Sequence, residues 1–324
     1  MISAKIRIPR KYKKKHIDEN VRIERKKLPR EAMYAYLFVG IPIVAYIIFT
    51  LIPLAISFVM QFTSMEGFDL ASMKWNSFEN FKYVFKDKDF YLSIGVTLLL
   101  SVNQFISLFI ALFISVLLAK KPFGHKVFQV IYFIPYICSS VAVSLMWMWM
   151  FNADTGIVNS ILEAIGGPSA RVDWFNDKAA YPWMIIIACV WQAPGYGIVM
   201  YKAALSQVNP SLYEAGDIDG ASPWKNLTKI TLPAIAPTTF FLLMTGIIAG
   251  LQIFDMAKLF SDGTWLGTAG PENIGLSTVL YIYKTFYDFN ELPRASVMSW
   301  ALFIIIFIVS VINFKLRNKW VDEA

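Results

Sequence analysis

Few residues in this sequence are of types that could perform acid–base, nucleophilic or metal chemistry. The two histidines, His16 and His125, lie in basic stretches. The two cysteines, Cys138 and Cys189, lie in apolar runs without a neighbouring cluster of ligands that could complete a metal site. No Gly-Lys dipeptide occurs, so the sequence lacks the loop with which P-loop nucleotidases hold phosphates. We therefore expect no catalytic residue, no metal site and no cofactor bound by this chain.

A second set of residues could contact a polar solute, because they lie within apolar segments. The candidates are Gln192, Tyr196, Gln252, Phe254, Asp255 and Trp149. Gln192 and Tyr196 are one helical turn apart, and Gln252 and Asp255 have similar spacing. Polar groups in a membrane helix are costly and usually face a bundle interior or a cavity. Alternatively, the two glutamines bond to adjacent helices and Trp149 serves only in packing.

The composition indicates that most of these residues lie in a membrane. Of the 324 residues, 56% are hydrophobic and 16% are charged. A soluble domain has about a quarter charged residues, and a disordered chain has too few apolar residues to match this composition. A helix needs about 20 apolar residues to cross a bilayer. The segments that meet this requirement are Ala35–Phe62, Tyr91–Ala119, Val127–Phe151, Tyr181–Leu205, Pro233–Asp255 and Ala295–Phe314.

These segments predict an all-α membrane protein with six transmembrane helices, and the basic residues orient them. Cytoplasmic loops are enriched in Lys and Arg, and the first 31 residues alone hold 12 of the 30 basic residues. We expect a protein of the cell (inner) membrane with both termini in the cytoplasm. The predicted organisation is a basic arm at 1–33, a transmembrane domain at 34–316 and a tail at 317–324. We expect the arm to bind anionic membrane lipid and not nucleic acid.

The connection between the fourth and fifth predicted helices, residues 209–233, is unusually structured. Asn209 can cap a helix that starts at Pro210, and Gly220 can terminate it. Pro223 can begin a second short helix. The sequence therefore predicts a short helix-turn-helix on the cytoplasmic face. The alternative is an ordinary connector, which would gain nothing from so many apolar residues in water.

The same loop resembles a known family. The run from Glu214 to Ala221, followed by Ile230-Thr-Leu-Pro, is similar to the EAA loop of permease subunits in binding-protein-dependent ABC importers. Gly216 and Leu227 depart from the residues usual in that loop, but the spacing is kept. The resemblance implies a type I ABC importer permease fold. It also implies that the residues coupling the chain to an ATPase are Glu214, Ala215, Asp219, Gly220, Ala221, Leu232 and Pro233.

Further segments, among them 78–85 and 250–255, resemble the larger permease of carbohydrate importers similar to the maltose and glycerol-phosphate systems. The resemblance implies a non-catalytic subunit that pairs with a second permease. It implies three further partners: a cytoplasmic ATPase dimer that holds ATP and magnesium, an extracytoplasmic solute-binding protein, and a saccharide substrate. The pathway candidates would then hydrogen-bond the saccharide through amides and a carboxylate, with aromatic rings against its C–H faces.

Other function classes remain open at this point. ABC importers for non-sugar solutes also carry EAA-like loops. An ion-coupled secondary transporter would need repeated halves or intramembrane charges, and a membrane enzyme would need clustered His, Asp or Glu; neither pattern is evident. The long connection 256–294 is expected to contact the binding protein or to shape substrate access.

Overall fold

The computed structural model describes residues 29–65, 67–262 and 268–321, and this part of the chain is mostly helical. Five described helices are long and apolar enough to cross a membrane, or six if one bent pair forms a single span. This agrees with the predicted all-α membrane fold. Residues 1–28 of the predicted basic arm lie outside the described residues, and a helix begins at Pro29, inside the predicted arm.

Residues 29–59 belong to a separate unit. It contains helix α1 (Pro29–Tyr46), a π-helical turn (Ile47–Leu51) and all but the last residue of helix α2 (Ile52–Met60). The stretch Tyr36–Met60 is long and apolar enough to cross a membrane, as predicted for the first span.

The second unit begins at Met60 and holds the remaining elements. Two short antiparallel strands, β1 (Thr63–Ser64) and β2 (Lys74–Trp75), lie near its start. Its α-helices, in chain order, are α3 (Glu79–Val84), α4 (Lys88–Ala119), α5 (His125–Ile137), α6 (Ser140–Met150), α7 (Ile157–Gly166), α8 (Ala180–Gln192), α9 (Pro194–Leu205), α10 (Pro210–Ile218), α11 (Pro223–Asn226), α12 (Leu232–Leu251), α13 (Asp255–Asp262), α14 (Thr278–Tyr283) and α15 (Leu292–Val321).

Helix α4 is the central element of this unit. Asp87 caps it by accepting a hydrogen bond from the N–H of Asp89 at 2.9 Å. The helix packs against α8, α9, α12 and α14. Several small residues of α4 are buried, namely Ser93, Thr97, Ser101, Ser107, Ala111 and Ser115. Small side chains let helices approach closely in lipid, where burial of apolar surface gives no driving force.

The third predicted span is not one continuous helix. Helices α5 and α6 meet at an angle of 98°. Pro135 lies inside the last turn of α5, and Cys138 has an extended backbone with ψ of 146°. Because proline lacks an N–H and its ring crowds the carbonyl four residues earlier, the helix ends shortly after it. Gln192 donates to the carbonyl oxygen of Cys138 at 3.1 Å, which satisfies one backbone group that the break leaves without a helical partner.

The two π-helical turns that lie within membrane stretches, Ile47–Leu51 and Leu227–Thr231, have the same local cause. The N–H of Ile52 bonds to the carbonyl of Ile47, and the N–H of Leu232 bonds to that of Leu227. The next residue in each case is a proline, which has no N–H to continue the ladder. At the second site the chain stays helical from Pro223 to Leu251, within the stretch Pro223–Ser261 that is long and apolar enough to cross a membrane. The second helix of the loop is therefore not short, as predicted, but leads directly into the fifth span.

The described parts of the connection predicted as a long loop at 256–294 are packed into the protein. Phe260 and Leu280 are fully buried, and α13 packs against α6 and α8. Thr278 and Thr97 share a hydrogen bond of 3.0 Å between their hydroxyls. The Tyr281 hydroxyl donates to Asp87. Burial and then this hydrogen bond raise the pKa of Tyr281, so the hydroxyl keeps its proton.

Candidate coupling loop and solute pathway

The first helix of the loop at 209–233 has defined ends. The side chain of Asn209 accepts a hydrogen bond from the N–H of Ser211 at 3.1 Å, and Pro210 occupies the first helical position. Gly220 has a φ of 68°. The N–H of Ala221 bonds to the carbonyl of Gly216 at 2.9 Å, and that of Gly220 bonds to the carbonyl of Asp217 at 3.1 Å. This pair of bonds is a Schellman motif, so the predicted start and end of α10 are both confirmed.

Side chains fix α10 to the helix that follows it. The Tyr213 hydroxyl lies 3.0 Å from that of Thr231, and Asn226 donates to Asp217 at 3.2 Å. A Cβ added to Gly216 would lie 2.7 Å from Oδ1 of Asn226. The glycine that replaces the family's usual alanine therefore stands where the two helices approach most closely. These contacts join the loop to the residues that lead into α12.

The opposite surface of the loop is exposed. Glu214, Ala215 and Asp219 are exposed, and no described residue forms a hydrogen bond to the Glu214 carboxylate. Ile218 is 87% and Trp224 72% exposed. Exposed apolar side chains beside a charged residue are typical of a surface that binds another protein.

The remaining coupling candidates lie elsewhere on the loop. Ala221, just after the turn, is partly buried. Leu232 and Pro233 are also partly buried and lie in the first turn of α12. Leu232 packs against the buried cluster around Ile198 and Tyr201 of α9. These two residues are therefore placed where they connect the exposed surface to the helical bundle.

Four of the predicted pathway residues line one cavity. Gln192, Gln252, Phe254 and Asp255 surround a volume of about 270 Å³. The helical spacing predicted for Gln252 and Asp255 is wrong, because α12 ends at Leu251 and the next helix begins at Asp255. The break itself brings these side chains to the end of α8. Gln192 also bonds to Cys138, so it both lines the cavity and contacts a neighbouring helix.

Tyr196 lines a second cavity of about 280 Å³, together with Gln104, Ser107 and Thr245. Its ring stacks on that of Tyr136 with centroids 5.7 Å apart. Ala249 borders both cavities, so the two are neighbours along α12. Gln104, Ser107 and Thr245 were not predicted as pathway residues from the sequence, because isolated polar residues are common in membrane helices.

Trp149 lines neither cavity and is 79% exposed on α6. Its neighbour Trp147 is the packed one: it is 8% exposed, stacks on Phe151 at 5.2 Å and meets the edge of Trp191 at 6.1 Å. The two tryptophans, two residues apart, face different surroundings.

Aromatic rings continue from the first cavity. Phe254 lies 5.3 Å from Tyr283, and Tyr283 stacks on Tyr287 at 5.6 Å between centroids. The Lys258 ammonium lies over the ring of Tyr283 at 5.5 Å. The two tyrosines were not selected as site residues from the sequence, although their spacing of four residues would place them on one helical face.

Comparisons with known proteins match this geometry. Residues 105–319 match the family described as binding-protein-dependent transport system inner membrane component. The lactose transport system permease protein LacF of Rhizobium radiobacter is 31% identical over 281 residues, covering 86% of this chain and 91% of LacF. The arabinooligosaccharides transport system permease protein AraP of Bacillus subtilis is 28% identical over 295 residues, covering 89% of this chain and 90% of AraP.

A solved structure shares the fold. It is the crystal structure of a bacterial alginate ABC transporter in complex with an alginate pentasaccharide-bound periplasmic protein. The matching chain has a TM-score of 0.74 and 22% sequence identity, over 90% of this chain and 96% of that chain. The predicted type I ABC importer permease fold is therefore confirmed.

Proposed function

The chain belongs to the family of binding-protein-dependent transport system inner membrane components, and we propose that it is the permease subunit of an ATP-driven importer for a sugar or oligosaccharide. The observation that carries the proposal is the continuity of one helix. The chain is helical without interruption from Pro223, in the exposed loop, to Leu251, the residue before Gln252 in the cavity that Gln252 and Asp255 line. A movement imposed on the loop therefore reaches the cavity without crossing a flexible joint.

In this proposal α10 is the surface that meets a partner ATPase. Ile218 and Trp224 supply apolar contact area, and Glu214 supplies a charge for a basic residue of the partner. The contacts of Tyr213 with Thr231 and of Asp217 with Asn226 transmit rigid-body movement to α12. The chain has no P-loop sequence, which supports hydrolysis of ATP, with its magnesium, by the partner and a non-catalytic role for this subunit.

The other partners follow from the same assignment. A second permease subunit completes the pathway, and an extracytoplasmic solute-binding protein delivers the substrate to it. Both termini lie in the cytoplasm, as the basic residues near them favour, and the arm at 1–33 lies against anionic lipid. Nucleic acid is not a partner.

The first cavity has the chemistry of saccharide recognition. Gln192 and Gln252 supply amides, Asp255 supplies a carboxylate, and Phe254 and Tyr283 supply aromatic rings. Such groups hydrogen-bond sugar hydroxyls and cover C–H faces. The transport of lactose and of arabinooligosaccharides by the relatives supports the same substrate class.

The test is uptake by the complete complex in proteoliposomes, with ATP inside and the solute-binding protein outside. We expect labelled lactose or an arabinooligosaccharide to accumulate only when both are present. Accumulation that needs an ion gradient and survives removal of the ATPase would identify a secondary transporter instead. ATP-driven uptake of a non-sugar solute alone would support the assignment as an importer and refute the assignment of a saccharide substrate.

A matched pair of variants tests the cavity. Gln252→Ala should lower saccharide uptake about tenfold while ATP hydrolysis continues, because a lost hydrogen bond to a polar ligand costs about 1.5 kcal/mol or more. Gln207→Ala is the control, since Gln207 is exposed and bonds only locally, to the carbonyl of Ala203 at 3.3 Å. Equal uptake by both variants would remove Gln252 from the pathway.

A further inference from the structure

A third cavity is distinct from both solute cavities. It has a volume of about 960 Å³. The end of α4, the start of α5, the end of α9 and both helices of the loop at 209–233 enclose it. It therefore lies between the exposed loop and the helical bundle.

The charge of this cavity is of one sign. Lys120 and Lys121 follow α4, His125 begins α5, and Lys202 projects from α9. None of the described residues that line the cavity is acidic, and within the described part of the chain none of the three lysines forms an ion pair. Lys202 donates to the neutral amide of Gln129. Like charges held close together repel, so this arrangement favours a bound anion.

Helix ends of both kinds border the cavity. His125 is the first residue of α5 and Pro210 is the first residue of α10, and both line the cavity. The C-terminal ends of α4 and α9 line it too. N-terminal and C-terminal helix ends carry partial charges of opposite sign, so the positive charge of the cavity comes from its three lysines.

The remaining walls supply hydrogen-bonding and apolar groups. Ser206 and Tyr213 present hydroxyls, and Trp224 presents an indole ring. The volume lies in the range of about 300–1,000 Å³ that small-molecule sites occupy. A phosphate group fits this chemistry best, because it carries up to two negative charges and several acceptor oxygens, and lysine is a common phosphate partner.

We propose that this cavity binds a phosphate ester, either the headgroup of an anionic phospholipid or a soluble phosphorylated compound. The ligand would contact α10 near Tyr213 and the following helix near Trp224, so it would hold the two halves of the loop at a fixed distance. Anion binding would thus restrain the surface that meets the partner.

Native mass spectrometry of the full chain tests whether the ligand is a lipid headgroup. Phosphatidylglycerol and phosphatidylcholine are offered in equal amounts to the protein in uncharged detergent. If the ligand is a lipid headgroup, we expect retention of phosphatidylglycerol and about thirtyfold weaker retention by the variant Lys121→Gln/Lys202→Gln, because each of the two basic residues contributes about 1 kcal/mol toward an anionic lipid. Titration of inorganic pyrophosphate in lipid-free detergent, with the wild type and the same variant, tests whether the ligand is a soluble phosphorylated compound.

The control is Lys225→Gln/Lys229→Gln, which removes two charges from the same loop at exposed positions that do not line the cavity. Binding by this control at wild-type strength, with loss in the cavity variant, supports the proposal for whichever probe binds. Hydrogen exchange of the amides at 210–231 should slow when that probe is present. Equal loss in both variants, or binding of neither probe to the wild type, overturns it.

Discussion

The loop at 209–233 and the segment at 256–294 both connect membrane helices, and they differ in the exposure of their apolar side chains. In the loop, Ile218 and Trp224 point into solvent, at 87% and 72% exposure. In the segment, Phe260 and Leu280 are fully buried. An exposed isoleucine costs free energy in water and is retained where a partner covers it, whereas a buried one stabilises the chain itself.

Glycines mark the same difference. A Cβ on Gly275 would lie 2.2 Å from the ring of Tyr181, and one on Gly270 would lie 2.8 Å from it. In the loop, Gly220 has open space around its Cα, but its φ of 68° belongs to the left-handed region. Gly275 permits close packing, Gly220 permits a turn, and Gly270, with a φ of 74°, does both.

The largest expected effect is a loss of stability in the buried segment, where Gly275 is needed for close packing. Gly275→Ala should destabilise the protein by about 1–3 kcal/mol, because the methyl group overlaps the ring of Tyr181. Thermal unfolding followed by fluorescence-detected size exclusion measures the loss. Gly95→Ala is the control, since a Cβ there meets no other atom within 4 Å. Equal melting of the two variants would show that the segment is not tightly packed on Tyr181.

The next effect concerns the turn of the exposed loop. Gly220→Trp should leave membrane insertion intact and lower coupled transport about tenfold or more, because strain at this φ and the added bulk together exceed about 1.4 kcal/mol. Gly220→Asn should stay close to wild type, since asparagine tolerates the left-handed conformation. Uptake and ATP hydrolysis are measured together in proteoliposomes. Normal transport by the tryptophan variant would contradict the coupling role of the loop.

The sequence was sufficient for features that depend on local chemistry. Asn209 before Pro210 predicted a helix start, and Gly220 predicted its end, because caps and turns act within a few residues. The apolar runs predicted the spans because length and composition decide whether a helix crosses a bilayer. Orientation of the termini and the roles of the site residues stay predictions.

Features that depend on tertiary packing were missed. Pro135 was read as part of a continuous span, although the chain bends by 98° shortly after it; other membrane helices tolerate a proline when neighbours re-satisfy the backbone. The site formed by Gln192, Gln252 and Asp255 depends on a second helix break after Leu251. The sequence pattern does not indicate this break, because the predicted fifth span continues across it.

A smaller effect tests whether the exposed apolar surface binds a partner. Ile218→Ser should change stability by no more than about 0.5 kcal/mol and weaken binding of the ATPase about fivefold, because interface residues that matter cost about 1 kcal/mol or more when truncated. Ile165→Ser is the matched control, because Ile165 is 82% exposed and lies on α7, outside the loop. Co-purification of the ATPase at graded salt measures the difference. A strong loss of stability in the Ile218 variant would place that side chain in the fold.

The smallest effect tests how the loop is joined to α12. Tyr213→Phe removes the hydroxyl that lies 3.0 Å from Thr231. A single hydrogen bond contributes about 1 kcal/mol, so uptake should fall about fivefold while basal ATP hydrolysis stays unchanged. Tyr91→Phe removes a comparable bond of 3.0 Å, to the carbonyl of Phe85, outside the loop. Adding Thr231→Val to Tyr213→Phe should cause no further loss if the two hydroxyls act as one link, whereas additive losses would mean that the Thr231 hydroxyl acts separately, through its bond of 3.2 Å to the carbonyl of Asn226.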